Sequence, residues 1–308
     1  MRLQHLQLLL TLARTGSLRA AAQELNVTQP ALTKALRQLE EEFGATLVLR
    51  SPKGVRLAPA GELLAARAAT IVREIDRARE DVDWSTRQGR ASVTVGLSPA
   101  AALMLAAPAV ARFHDRWPEV RVRLVDALYP KALRQLRGSE VDFALGPLPG
   151  VGMGRDLHAL PLLHSPTVIV ARRGHPLLKA TTLAGLAGAS WILSGPQLGP
   201  GDPVQLGMEQ RGLGAAQVTM ECESFATLLA VLPHTEALAL VPRRFFESHG
   251  PQSSLEVLKI AEDLPVTTLH LFTRTDAPLT VPAQRLVNAF KDEAEAILKS
   301  RAAAGRHP

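Results

Sequence analysis

Apolar and polar positions recur with helical spacing over the first 45 residues. Ser17 and Thr28 stand where helix N-caps are expected, and Pro30 follows in the first turn of the second helix. A tight turn at Asn26 separates the two helices. One face of the second helix is apolar, and it carries Leu32, Leu36, Leu39 and Phe43. The pattern predicts a helix-turn-helix, although an ordinary amphipathic helix pair with a solvated polar face has the same spacing.

A short basic hairpin is predicted directly after this helix. Residues 47–50 and 55–57 have strand character, and the sequence Pro52-Lys53-Gly54 marks a turn between them. A hairpin in this position is a wing, placed to touch the backbone beside the groove that the second helix enters. Gln and Thr can hydrogen-bond base edges, whereas Lys and Arg also bind phosphates. The predicted DNA-binding residues are Ser17, Arg19, Thr28, Gln29, Pro30, Thr33, Lys34, Arg37, Arg50, Lys53 and Arg56.

Residues 59–90 form a predicted linker that is one long helix as far as residue 87. Its apolar residues are spaced four and three apart, which is the a/d seam of a coiled coil. We interpret the seam as a dimerisation surface, and the alternative is a helix packed on its own domain. The seam consists of Leu64, Ala68, Ile71, Ile75, Ala78 and Val82.

From residue 91 onward, short β-branched runs alternate with Ala- and Leu-rich helical runs. This alternation predicts βαβ units and a mainly parallel sheet. Pro161 and Pro265 mark non-helical connections near residues 160–165 and 264–267. We therefore predict an effector domain at 91–303, with lobe I at 91–161 and 267–303 and lobe II at 165–263. The fold class is α/β, with an all-α winged helix-turn-helix at 1–58, a linker helix and a hinged two-lobe domain like type 2 periplasmic binding proteins.

Ligands of α/β lobes lie at the carboxyl ends of strands, near helix N-termini. Four segments of the predicted lobes satisfy this condition. They offer Ser hydroxyls, backbone N–H groups and two aromatic rings, which suit a small organic anion such as an aromatic carboxylate or sulfonate. The predicted effector-binding residues are Ser98, Pro99, Ala100, Leu128, Tyr129, Ser194, Gly195, Gly199, Pro200, Gly201, Ser224 and Phe225.

Composition and charge narrow the choice of function. The 308 residues carry a formal net charge of +6, and the first 58 residues hold eight Lys or Arg against four acids. The single cysteine, Cys222, excludes an intramolecular disulfide framework and a multi-cysteine zinc site. We interpret it as a packed structural thiol, with redox sensing as the alternative.

Several classes of protein are disfavoured by missing patterns. The sequence has no dinucleotide fingerprint, phosphate loop or nucleophile elbow, which argues against an enzyme. Its nine histidines lack metal-site spacing, so neither a metal nor a cofactor is predicted. No apolar run is long enough for a bilayer, and no signal-peptide pattern is present. We expect a soluble cytoplasmic protein with no membrane partner.

Residues 3–61 resemble the DNA-binding domain of the LysR-type transcriptional regulators. The departures are small: Thr33, Val48 and Ala58 stand where Ser, Phe and Thr are common in the family. The resemblance of the predicted effector domain is weaker. The N-terminal resemblance rests on Gly16-Ser17, Ala21-Ala22, Leu25, the run Thr28 to Thr33, Leu39-Glu40, Phe43-Gly44, Leu47, Arg50 and Leu57 to Gly61.

The resemblance implies a ligand-responsive, sequence-specific regulator that binds double-stranded promoter DNA. It implies a homodimer joined through the linker helix, often assembled further into a homotetramer, with RNA polymerase as a candidate partner. The effector segments are similar to those of the family member that responds to p-toluenesulfonate. His234 lies where family members usually carry a Gly-x-Gly turn, and it is either a pH-sensitive cleft residue or a surface histidine. The rival hypotheses are a cytoplasmic solute-binding protein or enzyme on the same two-lobe fold, and a purely architectural DNA protein.

Overall fold

A computed structural model describes residues 1–51, 54–86, 91–149, 152–195, 207–209, 211–214, 216–244, 254–264 and 266–304. The chain divides into two compact units. The first comprises Met1–Gly89 with Arg137–Ser139, and the second comprises Arg90–Leu136 with Glu140–Pro308.

The first unit is helical apart from one hairpin. Both predicted N-caps are confirmed, because Ser17 Oγ accepts from the Ala20 N–H and Thr28 Oγ1 accepts from the Ala31 N–H. Its elements are α1 (Leu3–Thr15), α2 (Leu18–Glu24), α3 (Gln29–Phe43), β1 (Val48–Ser51), β2 (Gly54–Leu57) and α4 (Pro59–Ser85).

Leucines of α1 and α3 form the core of this unit. Leu9 and Leu39 are fully buried, and Ala21 and Ala22 pack against the same cluster, so that α2 approaches closely. The predicted apolar face of α3 is confirmed for its three leucines. It is wrong for Phe43, which is 46% exposed, because Phe43 is the last residue of α3 and Gly44 caps the helix directly after it.

The second unit contains two five-stranded sheets. Their strand orders are β4-β3-β5-β12-β6 and β11-β7-β10-β8-β9. The strands of the first sheet are β3 (Ser92–Leu97), β4 (Arg121–Asp126), β5 (Phe143–Pro147), β6 (Leu157–Ser165) and β12 (Thr267–Arg274). The strands of the second sheet are β7 (Thr167–Arg172), β8 (Ser190–Ser194), β9 (Gln217–Cys222), β10 (Ala237–Pro242) and β11 (Leu255–Val257).

The expectation of a mainly parallel sheet is wrong, because both sheets are mixed. Strand β3 is parallel to β4 and β5, but β12 is antiparallel to β5 and β6. In the second sheet β8 is parallel to β9 and β10, whereas β7 is antiparallel to β10 and β11. Strand β12 therefore runs opposite to β5 beside it, and β7 runs opposite to β10 beside it.

Helices flank the strands in the usual α/β manner. The first of them begins as α, continues as a π-helix over Ala102–Ala106 and returns to α. The α-helices are α5 (Pro99–Ala101), α6 (Ala107–Arg116), α7 (Lys131–Arg137), α8 (Phe225–Val231) and α9 (Val281–Ala304), and 3-10 turns cover Pro176–Lys179, Ala184–Leu186 and Leu232–His234.

The crossing from the first sheet to the second is shorter than the sequence indicated. Strand β6 ends at Ser165 and β7 begins at Thr167, so only Pro166 separates them. Pro161, which was predicted to mark the connection, instead lies inside β6 beside a register shift against β12. Such an irregularity accommodates a proline that has no N–H for the ladder. The return strand β12 starts at Thr267, and Pro265 lies outside the described residues.

Candidate functional site

The first turns of α3 present a polar surface. Gln29, Pro30, Lys34 and Arg37 are exposed, and Thr33 is half-buried. The Arg37 guanidinium lies 3.5 Å from a carboxylate oxygen of Glu41, one turn along the same helix. Such an exposed ion pair is weak, so Arg37 can exchange it for another anion such as a phosphate.

The other predicted residues of this surface lie on α2 and on the hairpin. Arg19, Arg50 and Arg56 are exposed, and Ser17 is half-buried. In the hairpin, Arg50 pairs with Val55, and Arg56 pairs with Leu49. Lys53 lies outside the described residues. The arrangement is a helix-turn-helix with a basic wing.

The linker helix α4 uses only part of its seam for packing within this unit. Ala68 is fully buried in the single chain, and Leu64 packs on the helix-turn-helix core. Ile71 is 39% exposed and Val82 is 61% exposed. Ala78 is also exposed, and Ile75 is half-buried. Exposed apolar surface that could contact a partner subunit therefore begins at Ile71. Ala68 is already buried within the single chain and cannot contribute to such a contact.

A cavity lies between the two sheets of the second unit and has a volume of about 80 Å³. None of the described residues that line it carries a formal charge. Residues predicted for the effector site that line it are Ser98, Pro99, Ala100, Leu128, Ser194 and Phe225. Residues that the sequence reasoning missed are Pro147, Ser165, Thr167, Leu240, Pro242, Thr267 and Leu269.

Three hydroxyl groups in the cavity wall are buried without a hydrogen-bond partner. They are Ser165 Oγ, Thr167 Oγ1 and Ser194 Oγ. Ser165 is only 1% exposed. An unpaired buried polar group costs about 1–3 kcal/mol, so these three hydroxyls have hydrogen-bonding capacity to offer a polar molecule in the cavity.

Helix α5 reaches the same cavity with its N-terminus. Ser98 caps the helix, since its Oγ accepts from the Ala101 N–H at 3.3 Å, and its own N–H donates to the Leu145 carbonyl at 2.8 Å. Ser98 is therefore held rigidly between a strand and a helix. The helix dipole adds partial positive charge at this end.

Other residues predicted for the effector site do not line the cavity. Tyr129 packs instead against the core cluster formed by α7 and neighbouring strands. Ser224 is the N-cap residue of α8, with no side-chain cap. Gly195 adjoins the cavity, because a Cβ at this position would lie 3.6 Å from Leu128 Cδ1. Gly199, Pro200 and Gly201 lie outside the described residues.

The missed hydroxyl residues sit at the crossings between the sheets. Ser165 and Thr167 flank Pro166, and Thr267 begins the return strand. The sequence signal that could have found them is the pair of hydroxyl residues around a proline at a predicted connection. The sequence alone could not show that these residues line one cavity, because the strands that surround each crossing are far apart in sequence.

Cys222 and His234 are not among the described residues that line the cavity. Cys222 is buried at the end of β9, and desolvation raises the pKa of its thiol above the ordinary value. A raised pKa lowers the thiolate fraction, which agrees with a packed structural thiol. His234 is exposed at the end of a 3-10 turn and is not among the residues that line the cavity. This position agrees with the surface interpretation of His234.

Two features of this chain together define a class of protein. A winged helix-turn-helix with a basic face is built to bind DNA, and a hydroxyl-lined cavity between two α/β lobes is built to bind a small molecule. Their combination defines a regulator that joins ligand binding to DNA binding. Within the described residues no helix is long and apolar enough to cross a bilayer.

Comparison with known proteins gives the family. The model "Bacterial regulatory helix-turn-helix protein, lysR family" matches residues 3–62, and the model "LysR substrate binding domain" matches residues 86–295. The chain belongs to the LysR family of bacterial regulators. It is a LysR-type DNA-binding transcriptional regulator with an effector-binding domain, and its relatives are regulators and not enzymes.

Curated relatives and solved structures extend this result over nearly the whole chain. The HTH-type transcriptional regulator TdcA of Escherichia coli (strain K12) is 27% identical over 263 residues, which cover 85% of this chain and 84% of TdcA. GbpR of Azospirillum brasilense is 26% identical, with 94% of this chain and 86% of GbpR covered. The crystal structure of full-length CbnR complexed with its target DNA has a TM-score of 0.71 at 17% identity and covers 95% of this chain and 100% of CbnR. This structural likeness shows the fold.

Proposed function

We propose that α3 is the recognition helix and that its first turns enter the major groove of promoter DNA. The exposed side chains Gln29 and Arg37 and the half-buried Thr33 support this assignment, because they stand on one face at the leading end of a rigidly capped helix. Gln and Thr can read base edges, whereas Arg can bind guanine or a phosphate. The wing supplies Arg50 and Arg56 to the flanking phosphates.

The first assignment is tested by a joint replacement of Gln29, Thr33 and Arg37 by Ala in the full-length protein. Specific binding to the DNA of the upstream intergenic region should disappear in a gel shift, while the protein remains folded. An operator preference that survives in the triple variant would contradict this recognition surface.

The protein acts as a homodimer joined through the exposed part of α4, with a homotetramer as the larger assembly. Ile71, Ile75, Ala78 and Val82 offer the apolar surface, and charged residues flank them. A dimer presents two recognition helices to two half-sites. RNA polymerase remains a candidate partner of the DNA-bound assembly.

The effector is a small organic anion held in the cavity by neutral donors. The observation that carries this proposal is the convergence of three unpartnered hydroxyls, from Ser165, Thr167 and Ser194, on a site whose described lining residues carry no formal charge. The resemblance of the effector segments favours an aromatic carboxylate or sulfonate, as in a p-toluenesulfonate-responsive regulator. The cavity of about 80 Å³ is smaller than the roughly 300 Å³ at the lower end of ligand pockets. An aromatic acid therefore requires the lobes to separate before it enters.

Calorimetric titration of the full-length protein tests the effector class. Benzoate, benzenesulfonate and the neutral analogue benzamide form the panel, and the acids should bind saturably while benzamide does not. The variants Thr167→Val and Ser194→Ala should each weaken acid binding by about 10-fold, since each removes a hydrogen bond to a charged group worth about 1.5 kcal/mol. Ser300→Ala, on the exposed end of α9, is the matched control. Binding of a neutral metabolite in preference to every acid would refute the anion proposal.

A further inference from the structure

Glu40 stands near the end of α3 and reaches across to the start of the wing. Its Oε1 accepts hydrogen bonds from the backbone N–H groups of Leu47 at 2.9 Å and of Val48 at 3.2 Å. Both of these residues are buried, and Val48 begins β1. Hydrogen bonds to a carboxylate are stronger than those between neutral groups. A single side chain therefore joins the recognition helix to the first strand of the wing.

Two backbone hydrogen bonds anchor other parts of the wing. The Val55 N–H donates to the Gly16 carbonyl at 2.8 Å, and the Ala58 N–H donates to the Leu47 carbonyl at 2.9 Å. The first ties β2 to the turn before α2, and the second closes the base of the hairpin. Neither bond involves α3. Leu47 and Val48 also pack in the apolar core that holds the leucines of α3, and Glu40 adds the two hydrogen bonds that fix the start of β1 relative to that helix.

We propose that Glu40 is a positioning residue for DNA binding, which sets the wing at the place where Arg50 and Arg56 meet phosphates while the recognition helix lies in the groove. The inference rests on the proposed function of these two arginines in binding phosphates. Phosphate contacts carry the salt dependence of binding, and base contacts carry sequence discrimination. Loss of the Glu40 bonds should therefore reduce the salt dependence and leave the discrimination unchanged.

Three variants of the full-length protein separate hydrogen bonding from charge. Both bonds end on one oxygen of Glu40, so Glu40→Gln keeps a carbonyl oxygen that can accept them, whereas Glu40→Ala removes it. Glu42→Gln is the control, because Glu42 is an exposed acid of the same helix that pairs with the N-terminal amino group of Met1. It makes the same change of charge without touching the wing.

The measurement is the slope of the logarithm of the association constant against the logarithm of salt concentration between 50 and 200 mM. The probe is a duplex obtained by in vitro selection on the unmodified protein. Glu40→Ala should flatten the slope by about 0.9 for each phosphate that the wing no longer reaches, or about 1.8 per subunit. Over this fourfold range of salt, the fall in affinity per subunit becomes about 12-fold smaller. Glu40→Gln and Glu42→Gln should keep the original slope, and all variants should keep the preference for the selected duplex over a base-substituted one.

The double variant Arg50→Ala/Arg56→Ala distinguishes an error in the role of Glu40 from an error in the assignment of the wing to phosphate binding. It should flatten the slope in the unmodified chain and add nothing in the Glu40→Ala background. An equal effect in both backgrounds would overturn the role of Glu40, whereas no effect in the unmodified chain would overturn the wing assignment of the proposed function. If circular dichroism shows Glu40→Ala to be unfolded, Glu40→Asp replaces it. Its carboxylate is one methylene short of the two N–H groups, and an unchanged slope in Glu40→Asp would refute the inference.

Discussion

Gly61 lies in the first turn of α4, and a side chain at this position should destabilise the first unit. A Cβ built on Gly61 lies 2.0 Å from the carbonyl oxygen of Leu47 and 2.9 Å from its carbonyl carbon. That oxygen also accepts the bond from Ala58 that closes the wing, so the backbone on both sides must move for Ala to fit. Overpacking of this kind costs about 1–3 kcal/mol, and weakening the hydrogen bond costs about 1 kcal/mol more. Alanine gains about 1 kcal/mol over glycine in a helix. The steric cost and the weakened hydrogen bond together exceed the gain in helix propensity. Gly61→Ala should therefore destabilise the first unit by about 1–3 kcal/mol.

Hydrogen–deuterium exchange of the full-length protein measures the loss of stability in the first unit separately from the rest of the chain. Peptides from residues 3–62 should exchange faster in Gly61→Ala, and peptides of the effector domain should not change. Gly152→Ala is the matched control, because a Cβ there meets nothing within 4 Å and the substitution should be neutral or slightly stabilising. The reasoning is refuted if Gly61→Ala slows exchange in the first unit, as helix propensity alone requires.

Three further predictions concern buried groups. Leu39→Ala should destabilise the first unit by about 2–5 kcal/mol, measured by urea unfolding, because Leu39 is fully buried in its core; a destabilisation below about 1 kcal/mol would contradict that burial. Desolvation raises the pKa of the Cys222 thiol, so a thiol reagent should label the native protein slowly at pH 7 and the unfolded protein fast, and equal rates would contradict a packed thiol. Burial lowers the pKa of His270 below its ordinary value of 6.5, so the unfolded state takes up the proton first as pH falls. Stability should therefore decline below about pH 6.5, and less so in His270→Asn; identical pH profiles from thermal melts would contradict this.

Local chemistry made the N-terminal elements predictable. Ser17 and Thr28 each have a hydroxyl that caps the helix directly after it, so the signal lies within three residues of its effect. The two hydrogen bonds that Glu40 accepts from Leu47 and Val48 span seven and eight positions and join α3 to the start of the wing. No periodicity or cap motif encodes such an interaction, because its geometry depends on how α3 and β1 pack.

The lining of the cavity between the two sheets was only partly predictable for a similar reason. Ser98 and Ser194 follow the rule that ligands lie at the carboxyl ends of strands, and both line the cavity. Tyr129 follows the same rule but packs against the core cluster of its lobe. Strand β12 enters between β5 and β6 from more than a hundred residues away. A run of alternating residues cannot reveal either its direction or its neighbours, so the sheet was expected to be more parallel than it is.

The position of the unpartnered hydroxyls bears on how ligand binding could change the conformation of the effector domain. Ser165 ends a strand of the first sheet, and Thr167 begins a strand of the second, with one proline between them. Ser194 belongs to the second sheet, and Ser98 is fixed to the first. A ligand that bonds to both sets has an affinity that depends on the relative orientation of the two lobes. A ligand shifts a conformational equilibrium only by the difference in its affinity for the two states, and a tenfold shift requires about 1.4 kcal/mol of such difference. One hydrogen bond made in one orientation and broken in the other supplies roughly that amount. If the proposed effector bonds to hydroxyls of both lobes, one hydrogen bond that forms in only one arrangement is therefore enough for a tenfold shift.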